Sequence, residues 1–126
     1  MVKVLIVDDN TLNLDILRDG LKDRFSLSMA KNGKAALKVM EKHQPDLLLL
    51  DVLMPVMDGY ETYKNIVGNP NYKNLPVIFL SGVETLDENV LSLDPNRFVR
   101  LVTKPFDLAI VIQTIEEALK KGERNE

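Results

Sequence analysis

Cysteine is absent from the chain, which excludes disulfides, thiolate zinc sites, iron–sulfur ligation and a cysteine nucleophile together. That absence fits a reducing cytoplasm. Histidine is nearly absent too: His43 stands alone, so multi-histidine metal sites are excluded and a histidine-based triad has a single candidate base. Neither sign of charge dominates. With 19 acidic and 16 basic residues the net charge is −3, which leaves no basic surface for gripping nucleic-acid phosphates, and no direct nucleic-acid binding is expected. Aromatics make up 6% of the chain, and Tyr60, Tyr63 and Tyr72 are not spaced as a base-stacking platform. Long apolar runs are missing as well. Val4 to Val7 stops at Asp8 and Leu47 to Leu50 stops at Asp51, far below the ~20 residues that cross a bilayer and too short for a signal-peptide core. No membrane association is expected; the chain reads as soluble, unexported and cytoplasmic.

What is present is enough for one domain. The chain has 126 residues, 45% of them hydrophobic, within the usual span of a single core. Short apolar runs alternate with segments of helical period, the signature of βα units around a parallel sheet buried on both faces. The runs predict strands at Val2–Val7, Leu27–Ala30 (the weakest), Asp46–Leu50, Val77–Leu80 and Phe98–Val102. Between the first two, Leu14, Leu17 and Leu21 share a helical face, with Asn10 placed to cap it. Asn32-Gly33 turns into a second helix carrying Ala36, Leu37 and Met40, which ends near His43 because Pro45 blocks continuation. Asp58-Gly59 opens a third helix ending near Gly68. A fourth is expected over Glu84–Leu91, and a fifth, capped by Asp107, shows a stripe of Val111, Ile115, Ala118 and Leu119. Glu116-Glu117 and Lys120-Lys121 read as a solvated face with i, i+4 pairs. The domain is expected over residues 1–121, followed by a polar, frayed tail at 122–126. No effector domain is visible after Leu119. The pattern is an α/β, doubly wound (βα)5 three-layer sandwich of flavodoxin-like type, with a five-stranded parallel sheet in the order 2-1-3-4-5.

The polar residues of interest sit where strands end: Asp8 and Asp9 after the first, Asp51 after the third, Ser81 after the fourth and Lys104 after the fifth. In a parallel sheet those ends share one edge, so residues far apart in sequence converge. Singly, each has an ordinary use. Asp8-Asp9 would cap a helix, Asp51 would be a solvated strand end, Ser81-Gly82 a turn and Lys104 a surface charge. Together they are different, because carboxylates at ~5 Å repel by about 3 kcal/mol at an effective dielectric near 20. A cation is needed. An all-oxygen site of this kind suits Mg²⁺, with Lys104 adding a mobile positive charge. A carboxylate nucleophile beside Mg²⁺ and a lysine is the equipment for forming an aspartyl phosphate, and Asp51 is the best placed. Asp8 and Asp9 then hold the metal, and Ser81 offers its hydroxyl to a phosphoryl oxygen.

Four stretches, in order, resemble the receiver domain of response regulators, the phosphoacceptor module of two-component signalling: Val4-Leu5-Ile6-Val7-Asp8-Asp9-Asn10, Asn32-Gly33-Lys34-Ala35-Ala36-Leu37, Asp51 through Glu61, and Thr103-Lys104-Pro105-Phe106. The resemblance extends from Val2 to about Leu119. It implies that a sensor histidine kinase or histidine phosphotransfer protein phosphorylates Asp51. It implies further that Asp9 ligates Mg²⁺ directly, Asp8 through water and Leu53 through its backbone carbonyl, that Ser81 is the switch hydroxyl, and that Lys104 pairs with the phosphate ahead of a cis Lys104-Pro105 bond. The output would be a change on the surface formed by the fourth helix, fifth strand and fifth helix, controlling an output domain or partner protein, with phosphorylation-dependent dimerisation as one form of it. The domain would not be an enzyme, beyond promoting its own phosphorylation and dephosphorylation.

Two departures stand out. Leu101 occupies the position of the family's aromatic switch residue, which shifts the expected output change toward the loop after Ser81. Leu53 and Val83 are apolar where polar side chains often position the attacking water, which implies slow loss of the phosphoryl group. The competing readings are a degenerate receiver acting as a phosphorylation-independent binding module, a haloacid-dehalogenase-like phosphatase and a flavin carrier. The phosphatase needs a second aspartate where Leu53 stands, and Asp8-Asp9-Asn10 replaces the phosphate loop a flavin carrier needs.

Overall fold

The protein, seen in a computed structural model that describes residues 1–124 and side chains through Lys120, is a five-stranded parallel sheet covered by helices on both faces. The strands are β1 (Lys3–Val7), β2 (Ser26–Ala30), β3 (Leu47–Asp51), β4 (Val77–Ser81) and β5 (Val99–Thr103), and the helices α1 (Thr11–Leu21), α2 (Gly33–Lys42), α3 (Gly59–Val67), α4 (Glu88–Leu91) and α5 (Leu108–Arg124). A short 3-10 turn at Pro70–Tyr72 precedes β4. The sheet order is β2-β1-β3-β4-β5, all neighbours parallel, as the alternation of segments predicts.

Strand alternation sorts the apolar residues into two layers. Val4, Ile6, Leu47, Leu49, Ile78, Leu80 and Val102 meet Leu14, Leu17 and Leu21 of α1 and Val111, Ile115 and Ala118 of α5. Leu5, Val7, Leu48, Leu50, Val77 and Phe79 face Ala36 and Met40 of α2 and Tyr63 and Ile66 of α3. Because β1, β3 and β4 are buried on both faces, they are nearly continuous in Val, Ile and Leu.

Asn10, Asn32 and Asp58 cap α1, α2 and α3, each accepting the backbone N–H three residues on, which satisfies one of the donors every helix start leaves open. His43 ends α2. The fourth helix differs from expectation: it is a single turn beginning at Glu88, capped by Asp87 rather than starting at Glu84. Residues 82–87 instead form a bent, irregular loop, and only Val90 of the helix is buried. The fifth helix continues to Arg124, into the stretch expected to be a polar tail; residues 125 and 126 of that tail lie outside the described residues. Glu116 and Glu117, expected as i, i+4 partners of lysines, reach across to Arg24 (3.6 Å) and Arg100 (3.1 Å). The Lys121 side chain lies outside the described residues.

Candidate functional site

Asp8 is the first residue past β1, Asp51 the last of β3, and Lys104 the first past β5. All three continue the side-chain parity of the α1/α5 layer, following Ile6, Leu49 and Val102. Shared parity brings them together at the carboxyl edge. The Lys104 ammonium donates to Asp8 Oδ2 at 2.8 Å and lies 3.2 Å from Asp51 Oδ2. Asp8 is held further by the Asn10 N–H (2.9 Å) and by Asn13 Nδ2 (3.2 Å). Asn13 is a site residue the sequence reading did not single out; its signal is its place one turn into α1, three residues after the cap.

Asp8, Asp9 and Asp51 each bring a carboxylate oxygen within 4.8 Å of the other two. Asp8 and Asp51 are buried, at 0% and 5% exposure, while Asp9 is open to solvent. At that spacing each pair of unit charges repels by about 3.5 kcal/mol at an effective dielectric near 20, and the Lys104 ammonium bridges Asp8 and Asp51. The electrostatic consequence is visible at Asp51. Burial, then the Asp8 charge, push its carboxyl above the usual carboxylate range; the charge and hydrogen bond of Lys104 and the Leu53 N–H pull it down without cancelling the rise. Burial works against the charged form of Lys104, but its bonds to Asp8 and Asp51 outweigh that, and its ammonium is held above the ordinary lysine value. An excess of negative charge carried only by hard oxygen donors, with one of them facing water, fits a small divalent cation such as Mg²⁺.

Ser81 follows the opposite parity, that of Phe79 and the α2/α3 layer. It is buried, its hydroxyl oxygen accepts the Val83 N–H at 3.5 Å, and its carbonyl accepts the Lys104 N–H at 2.8 Å. It therefore borders the carboxylate cluster through β5 backbone while its hydroxyl is held in its own loop. Leu53 turns its side chain outward, 68% exposed.

The loop from β3 to α3 is tightly built. A Cβ on Gly59 would overlap the Asp51 carbonyl oxygen and lie 2.8 Å from Val52 Cα, so only glycine lets the start of α3 pack on the end of β3. The unusual dihedral falls elsewhere than at a glycine: Val56 has φ 71°, and the Met57 N–H closes onto the Pro55 carbonyl at 2.8 Å around it, a three-residue turn that strains a β-branched residue. The Met57 carbonyl in turn accepts the Gly33 N–H at 3.2 Å, tying α2 to the same loop. The Lys104–Pro105 peptide is cis, as the resemblance implied.

Fold and pocket together define a doubly wound α/β domain with an acidic, lysine-bridged, cation-ready crevice at its carboxyl edge. The profile of the family described as the response regulator receiver domain matches residues 4–116. This chain belongs to that family. Over 117 residues it is 33% identical to a probable cyclic di-GMP phosphodiesterase of Vibrio cholerae, covering 93% of this chain and 26% of that protein. The chain thus spans about a quarter of the length of that relative. Among solved structures, the chemotaxis protein CheY4 of Vibrio cholerae superposes with a TM-score of 0.83 at 29% identity, over 94% of this chain and 98% of its own. A CheY-like receiver domain protein of Methanospirillum hungatei gives 0.84 at 26% identity, over 100% and 99%. No helix among the described residues is long and apolar enough to cross a membrane.

Proposed function

We propose that this receiver is a phosphorylation-controlled switch in which Asp51 accepts a phosphoryl group from a phosphohistidine on a sensor histidine kinase or phosphotransfer protein. The observation that carries the reading is the Asp51 carboxylate itself, 5% exposed, 3.2 Å from the Lys104 ammonium and within 4.8 Å of two further carboxylates. No apolar strand end needs that arrangement, and a structural ion pair would not need Asp9.

Asp8, Asp9, Asp51 and the Leu53 carbonyl are the groups that would hold Mg²⁺, which when bound supplies positive charge to the transferring phosphoryl oxygens. In the transfer, an Asp51 carboxylate oxygen forms the new bond to phosphorus while the phosphorus–nitrogen bond to the donor imidazole breaks, and the imidazole leaves with the electron pair and takes up a proton. Lys104 neutralises charge on an equatorial oxygen. Its bond to Asp51 is the one it can exchange for the phosphoryl group while Asp8 keeps hold of it. Ser81 turns its hydroxyl from Val83 to a phosphoryl oxygen, which links the event to the loop leading into α4. The changed face of α4, β5 and α5 then controls an output partner, in the cytoplasm where such kinases act, and pairing of two phosphorylated copies is one form that control can take.

Incubation with acetyl phosphate and Mg²⁺ followed by intact-mass measurement tests this. A gain of one phosphoryl group in the parent chain and none in Asp51→Asn is expected. No gain in either would overturn the reading and favour a phosphorylation-independent binding module.

A further inference from the structure

The route from the acidic crevice to α4 cannot use an aromatic ring at position 101, which is leucine, yet three aromatic rings pack together in the layer that Leu101 joins. Phe79 of β4 stands in register with Leu101 of β5 on one side and Leu50 of β3 on the other. It shares its face of the strand with Ser81, two residues on. The Tyr60 ring packs edge-on against Phe79 at 5.8 Å between centroids, and Tyr63 packs on it at 5.7 Å. Tyr60 also spends its polar end: its hydroxyl oxygen accepts the backbone N–H of Asp87 at 3.1 Å, across 27 residues of chain.

Asp87 is the residue that caps α4, through its carboxylate to the Asn89 N–H at 2.8 Å. The other end of the same path is equally direct. Tyr60 follows Gly59, whose N–H is bonded to the Val52 carbonyl at 2.8 Å and whose missing side chain lets α3 rest on the backbone of Asp51. A displacement at Asp51 or Val52 is thus passed to the first turn of α3, and from the Tyr60 hydroxyl to the cap of a helix only one turn long.

We propose that Tyr60 is a positioning residue that ties the cap of α4 to the loop bearing Asp51, so that α4 follows the acidic crevice through α3 and not through residue 101. Leu86 and Leu101, half-buried against the same cluster as Tyr60 and Phe79, give the ring room to shift with little loss of apolar contact. The inference rests on the phosphoacceptor reading for what moves the loop, but the tie itself exists without phosphorylation and is measurable alone.

The test compares the parent chain with Tyr60→Phe, which keeps the ring and deletes the hydroxyl, and with Leu101→Ala, by amide-resolved NMR and hydrogen exchange. Without ligand, losing one hydrogen bond should speed exchange of the Asp87 amide by about five- to tenfold in Tyr60→Phe, with the amides of β1 and β3 unchanged, a pattern that general destabilisation would not give. With Mg²⁺ and beryllofluoride, a phosphoryl mimic, amides of residues 51–59 should shift in all three proteins. Those of residues 86–94 should shift in the parent and in Leu101→Ala but stay near their unliganded positions in Tyr60→Phe. Unchanged Asp87 exchange, or an undiminished response of residues 86–94 in Tyr60→Phe, overturns the inference. Absence of any response at residues 51–59 in the parent chain overturns the phosphoacceptor reading and this inference with it.

Discussion

Lys104→Met removes the ammonium that touches both buried carboxylates while keeping an unbranched side chain of similar length. Asp8 and Asp51 would then face each other across at most 4.8 Å, both more than nine-tenths buried. Their repulsion at an effective dielectric near 20 is about 3.5 kcal/mol, within the ~3–5 kcal/mol usual when one member of a buried ionic cluster is deleted. Unfolding entropy of ~2.1 cal/mol/K per residue over 126 residues converts that loss into a melting temperature lower by about 13 °C. The loss should depend on pH with a definite sign. Asp51 is already raised by burial and by Asp8, and removing Lys104 takes away what lowers it. A carboxyl raised on folding favours the folded state while protonated and loses that contribution as pH climbs through its raised value. The gap between variant and parent must therefore be widest at mildly alkaline pH and narrow on acidification. Excess Mg²⁺ should also narrow it, because a dication replaces the missing ammonium. Calorimetry in chelator and in Mg²⁺, across that pH range, reads all three effects. A variant melting within ~3 °C of the parent in chelator, equivalent to under about 1 kcal/mol, or a gap independent of pH, would refute the electrostatic account of the pocket.

Three further outcomes follow from the same geometry. Asp51→Asn should stabilise the Mg²⁺-free chain at neutral pH relative to its effect under acid, since the parent's raised carboxyl is unfavourable only once ionised; urea unfolding at the two pH values checks it, and a difference that shrinks as pH rises would contradict it. Gly59→Ala should destabilise by about 2–3 kcal/mol, the range of overpacked sites where rigid backbone is the obstacle, and weaken Mg²⁺ binding by shifting Asp51; denaturant midpoints and a metal titration report both. The phosphorylated chain should hydrolyse slowly, because Leu53 is apolar and exposed at the mouth of the crevice and Val83 offers only backbone to Ser81; a phosphoryl lifetime of seconds would count against that reasoning.

The layers of this domain were legible because both periods are strong. Apolar residues at nearly every position of the three central strands leave no face for water, and Leu14, Leu17 and Leu21 commit α1 to the sheet. The fourth helix differs for another reason: Val83, Leu86 and Val90 recur at helical spacing and point to a longer helix, yet the Asp87 cap sets the start and only Glu88–Leu91 is helical. Nor does local pattern show that Gly59 is required by close approach to Asp51, or that Val56 takes the left-handed dihedral.

Sequence alone determined which residues end strands, and a parallel sheet obliges such ends to lie on one edge; the identities of Asp8, Asp9, Asp51 and Lys104 as neighbours needed nothing more. Tertiary structure decided how they touch. Strand parity puts Asp8, Asp51 and Lys104 on one face and Ser81 on the other, Asn13 joins through the angle of α1, and Tyr60 reaches Asp87 across the sheet's rim. Those contacts, at 2.8 to 3.2 Å, hold only while the elements are placed to within a few tenths of an ångström, and that placement is set by packing, which no local pattern encodes.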